Sequence, residues 1–178
     1  MKKNVLIFGS IAGIIVSAFM FVSLLMLSND PNFEGSMLVG YTAMLVAFSF
    51  VFVGIKNFRD KYNNGLITFG KAFKVGLFIS LIASTMYVIT WLIEFNFFIP
   101  NFMELYVDHA INHAKANGVS GAELDKQIAE MASYKEMYKN PVMVILLTYM
   151  EILPIGLLVT LISALILKKK DKSQNQTA

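Results

Sequence analysis

Four apolar runs, residues 5–27, 37–55, 72–99 and 142–167, decide what this chain can fold into. Each is long enough to cross a bilayer as a helix, which takes ~20 residues for a ~30 Å hydrocarbon core. Lipid offers unpaired backbone groups no partner, and the runs lack the alternation of barrel strands. The expected fold is therefore an all-α integral membrane protein, four transmembrane helices in a bundle, forming a single membrane domain over residues 1–178. Composition agrees, with 56% hydrophobic residues, 15% charged and a mean hydropathy of +0.61, values foreign to a water-soluble globule. The absence of cysteine excludes disulfides and thiolate metal sites. Lys2 and Lys3 precede the first run and no small-x-small cleavage site follows it, which predicts an uncleaved first span.

The charges are crowded between the runs. A connector, residues 56–71, joins the second and third, and with Lys74 it carries Lys56, Arg59, Lys61 and Lys71 against the single acid Asp60. Asn63-Asn64-Gly65 marks a turn within it, Thr68 is placed to cap the next helix, and Leu66, Ile67 and Phe69 are expected at the membrane interface. Ser28 to Ser36, with two acids, no Lys or Arg and a central Pro31, reads as a short external turn. Counting Lys and Arg places eleven on the side of the termini and connector and four on the other. By the positive-inside bias both termini are cytoplasmic, in a multi-pass protein of the bacterial cytoplasmic (inner) membrane. Topology thus accounts for the net charge of +3, and nucleic acid is not an expected partner. The five connector cations are read as an orientation signal that also suits lipid headgroups. Residues 171–178 are polar and expected to be disordered.

Small residues recur at helical spacing in the spans. Gly9, Gly13 and Ser17 share a face in the first, and Gly40, Ala43, Ala47, Phe50 and Gly54 in the second. Gly76, Ser80, Ser84, Tyr87, Trp91 and Glu94 form a stripe in the third, and Gly156, Thr160 and Ser163 one in the fourth; these faces should meet protein, not lipid. Pro154 should bend the fourth span beside Glu151. Residues 101–140 predict an amphipathic helical hairpin between helices 3 and 4 on the external side. Its first helix, Phe102 to Ala116, begins at Asn101 with Glu104 in capping-box spacing. The second is re-capped by Ser120 with Glu123, and its inner face includes Leu124, Ile128, Met131 and Tyr138.

Gly54-Ile-Lys-Asn-Phe-Arg-Asp60, Asn64-Gly-Leu-Ile-Thr-Phe-Gly-Lys-Ala-Phe-Lys-Val-Gly76 and the stretch Tyr87 to Glu94 resemble a bacterial membrane-protein family, domain of unknown function 4199. The four-span layout extends the similarity to most of the chain. The resemblance implies an integral inner-membrane protein and carries over no catalytic residue.

Glu94 and Glu151 lie within apolar runs, where an ionised acid costs about +2.5 to +3.5 kcal/mol at the bilayer centre on insertion-based scales. Counted from the outer ends of their helices at 1.5 Å per residue, they sit roughly 9 and 15 Å deep. One account gathers Glu94, Glu151, Tyr87, Thr90, Trp91, Thr148 and Tyr149 into an outward-facing polar pocket for a proton or small cation. His109 and His113, spaced i and i+4, would be a metal pair beside it. The other account makes each acid interhelical glue, bonded to Thr, Tyr or Trp, and the histidines ordinary interfacial residues. No His-Glu-x-x-His, Ser-x-x-Lys or Gly-rich phosphate loop supports catalysis, so the enzymatic reading ranks last. The expected function is a non-enzymatic packing or accessory membrane component without a cofactor. Its partners are the bilayer and a second copy or a larger membrane protein. The alternative is a small proton- or cation-coupled carrier using Glu94 and Glu151.

Overall fold

The computed structural model describes residues 1–29 and 37–169. Among them the chain forms six α-helices: α1 (Lys2–Asn29), α2 (Met37–Tyr62), α3 (Phe69–Ile93), α4 (Phe102–Ala116), α5 (Gly121–Tyr138) and α6 (Pro141–Leu167). A π-helical turn, Glu94–Phe98, extends α3. The helices over Lys2–Met26, Leu38–Tyr62, Phe69–Phe98 and Pro141–Leu167 are long and apolar enough to cross a membrane. Of the expected external turn, Ser28 to Ser36, the first two residues belong to α1, while residues 30–36 and the tail at 171–178 lie outside the described residues.

The chain divides into two compact units. The first comprises Met1–Thr90 and Tyr149–Ala178, the second Trp91–Thr148. In the first, α1, α2, most of α3 and most of α6 share one core that includes Phe48, Val51, Ile55, Ile79 and Ile152, all fully buried. The small faces set its spacing. A methyl group at Gly9 would lie 2.8 Å from Ile82 Cβ on α3, and one at Gly54 would lie 3.0 Å from Phe8 Cβ on α1. One at Gly156 would lie 2.9 Å from the Phe48 ring and 3.0 Å from Ser80 Cβ. Helices approach this closely only where the side chain is absent. The outer surface is apolar instead: Ile14 is 59% exposed and Leu158 56%, as lipid-facing helices require.

The contacts also give direction. The Asn4 amide donates to Asn57 Oδ1 at 3.0 Å, joining the start of α1 to the end of α2. Arg59 reaches the Leu167 carbonyl at 3.4 Å, and Ile67 and Lys169 exchange both backbone hydrogen bonds, at 3.0 and 2.8 Å. The start of α1, the ends of α2 and α6 and the start of α3 therefore share one end of the unit. Lys2, Lys3, Lys56, Arg59, Lys61, Lys71, Lys74, Lys168 and Lys169 collect there.

Three features of the connector differ from expectation or refine it. α2 runs on through Tyr62, because Phe58 is buried in the core and holds that turn. Ile67, expected at the interface, is 1% exposed and belongs to the core. The Asn63 to Gly65 turn is present, with Asn64 and Gly65 at φ +51° and +74° and the Gly65 N–H closing on the Arg59 carbonyl at 2.9 Å. Thr68 Oγ1 accepts from the Lys71 N–H at 3.4 Å, a long N-cap bond.

In the second unit, α4 and α5 occupy the expected residues, yet neither Asn101 nor Ser120 caps with its side chain. The Asn101 carbonyl takes the Glu104 and Leu105 N–H groups instead. Met103 and Ala114 mark the buried face of α4. On α5, Leu124, Met131 and Tyr138 are half-buried, while Ile128, expected inside, is 41% exposed. Lys135 and Glu104 link the two helices at 3.3 Å.

Candidate functional site

In the first unit α3 and α6 run antiparallel, joined by a ladder of side-chain hydrogen bonds. Ser80 donates its only hydroxyl proton to the Gly156 carbonyl at 3.1 Å, so across the 3.0 Å Ser80–Thr160 contact Thr160 is the donor. All three residues are buried. A double-mutant cycle of Ser80→Ala and Thr160→Val should return a coupling of about 0.6 kcal/mol, and not above ~1.7, in detergent unfolding. A coupling of zero would remove this bond from the account of the seam.

Further along, Thr85 donates to the Leu81 carbonyl at 2.7 Å. The 2.8 Å contact between Thr85 and Tyr149 is then a bond given by Tyr149. Tyr87, buried, donates to Glu151 Oε1 at 3.5 Å. Residues 85 and 87, like 149 and 151, point to opposite sides of their helices. The two bonds therefore flank the seam, Tyr149 on one side and Glu151 on the other. Glu151 is exposed on the outer surface of α6 and is the only charged residue of that helix. Pro154, one turn on, is exposed with it inside the helix.

Of the expected pocket, Tyr87, Thr90, Tyr149 and Glu151 belong to the first unit and Trp91, Glu94 and Thr148 to the second. Thr90 spends its hydroxyl proton on the Met86 carbonyl at 2.9 Å, and Thr148 spends its own on the Val144 carbonyl at 2.8 Å. Both are bonds within their own helix. Trp91 is half-buried in an aromatic cluster, edge-on to Phe102 at 4.8 Å and tilted against Phe95 at 6.0 Å. Phe95 in turn meets Tyr138 at 5.6 Å.

Glu94 is 2% exposed, and neither carboxylate oxygen has a hydrogen-bond partner among the described residues. It opens the π-helical turn, whose Ile99 N–H bonds the Glu94 carbonyl at 3.1 Å. Such turns occur often at functional positions. His109 and His113 stack with ring centroids 6.4 Å apart on an exposed face of α4. Among the described residues no group of three or more His, Cys, Asp or Glu is placed to hold a metal. At the basic end, Lys56, Lys61, Lys71 and Lys74 are exposed. Arg59 pairs with Asp60 at 2.7 Å, and Lys71 lies 5.5 Å from the centre of the Phe58 ring.

Sequence reasoning missed Asn4, Ile67 and the exposure of Glu151. A signal existed for the first, since an amide standing directly before an apolar run calls for a partner once buried.

Residues 7–169 match the model of a family described as a protein of unknown function, DUF4199. No curated protein and no solved structure matches the chain.

Proposed function

We propose that this chain, which belongs to the DUF4199 family of proteins of unknown function, is a non-enzymatic accessory component of the bacterial inner membrane that joins another membrane protein laterally. Its four spans form a bundle, with the basic end and both termini in the cytoplasm and the α4–α5 hairpin outside. The positive-inside bias supports that orientation.

The observation that carries the reading is Glu151, an exposed acid about 15 Å along an otherwise uncharged span. Left against lipid as an anion it costs about 2.5 to 3.5 kcal/mol, and a lateral partner offsets that cost. Extracted from its native membrane in mild detergent, the tagged protein should migrate as a complex larger than the monomer. Glu151→Leu should release a folded monomer, less stable only by the lost Tyr87 bond. A wild-type protein that is monomeric in every mild detergent would defeat the reading.

A second reading, a small proton- or cation-coupled carrier, draws on Glu94, whose buried oxygens have no hydrogen-bond partner among the described residues. Its prediction is flux through reconstituted protein that falls about tenfold or more in Glu94→Gln. Equal flux in wild type, Glu94→Gln and Glu151→Gln proteoliposomes would discard it.

A further inference from the structure

We infer that the lateral partner presents a lysine or arginine to Glu151 at mid-bilayer depth. This rests on the lateral-assembly reading and names the chemistry that reading leaves open. Glu151 lies ten residues after Pro141 and sixteen before Leu167, about 15 and 24 Å along the helix. It is therefore in the middle of the membrane, well away from either headgroup layer. Beside it on the exposed face are Pro154 and Leu158, which give no polar contact.

The chain's own groups leave the acid half satisfied. Tyr87 donates to Oε1 at 3.5 Å, and Oε2 makes no hydrogen bond among the described residues. The hydroxyl protons of Tyr149 and Thr148 are committed elsewhere, to Thr85 and to the Val144 carbonyl. The charge complement is also missing from the sequence of the spans. Residues 5–27, 37–55, 75–98 and 141–167 contain no Lys, Arg or His. Lys168 and Lys74, the nearest cations along α6 and α3, are about 25 Å from Glu151 and about 20 Å from Tyr87 along their helices. A second copy would bring the same spans, and so another acid or an apolar surface, but no cation. The surface fits a foreign span with a basic residue at matching depth.

The test reconstitutes the full chain in vesicles with synthetic single-span Leu/Ala helices whose central residue is Lys, Gln or Leu. The chain has no cysteine, so a fluorophore is placed through Ser133→Cys, an exposed site, and association is read by energy transfer. The Lys-centred helix should bind about tenfold more tightly than the Leu-centred one, and Glu151→Gln should abolish that preference. Glu151→Lys should transfer the preference to a Glu-centred helix, a reversal that damage to the fold would not produce. If the Gln-centred helix binds as well as the Lys-centred one, the cationic partner is overturned while lateral assembly stands. If no polar helix exceeds the Leu control, both fall. Self-association of the labelled chain that Glu151→Gln abolishes would assign the surface to a second copy and overturn the inference.

Discussion

Gly76→Leu should destabilise the protein by about 3 kcal/mol in detergent unfolding, whereas Gly40→Leu should be neutral or slightly stabilising. Leucine is the better helix former by roughly 0.8 kcal/mol, so propensity alone favours both substitutions. Packing decides between them. At Gly76 even a methyl group would lie 2.8 Å from Thr160 Cγ2, 2.9 Å from Ile55 Cδ1 and 3.1 Å from Val51 Cγ1. Those atoms belong to α6 and α2, so a large side chain on α3 presses on two neighbouring helices at once. At Gly40 nothing lies within 4 Å of the same position. Gly76→Ala should fall between, because the two nearest contacts are side-chain methyl groups able to yield. Equal losses at positions 40 and 76 would show that helix approach at Gly76 is looser than described.

Ile67→Ala should cost about 2 to 5 kcal/mol, as expected for emptying a buried Ile site. The residue sits in a connector, where truncation is ordinarily harmless, yet it is 1% exposed and packs in the core that includes Phe58 and Leu167. Its backbone also holds Lys169 through two hydrogen bonds. Loss of the side chain should therefore speed amide exchange at Lys169, while Leu66→Ala, at a half-buried position, should do neither to the same extent. An Ile67→Ala protein as stable as Leu66→Ala would remove Ile67 from the core.

The spans were legible because length and hydropathy alone specify them, and most of the small faces because close approach tolerates few residue types, although Gly40, grouped with one of them, meets nothing within 4 Å. The starts of α4 and α5 were legible from spacing, but their capping was not, since the Asn101 carbonyl satisfies the N–H groups that its side chain was expected to take. Ile67 was hidden because the six residues between α2 and α3 have no period to read. The two intramembrane acids looked alike in sequence, and the structure separates them, Glu94 inside and Glu151 outside. The stripe of Gly156, Thr160 and Ser163 on α6 lies roughly 120 to 180° around the helix from Glu151, so the spacing that turns the stripe inward also turns Glu151 outward.

The bridge between Ile67 and Lys169 joins residues made about a hundred positions apart. During synthesis α1, α2 and α3 are complete long before α6 emerges, and until then Ile67 lacks the strand-like partner that pairs with it. The connector therefore stays unlatched until Lys169, two residues past the end of α6, has been made. Closure of that end of the first unit thus waits for α6 to be made.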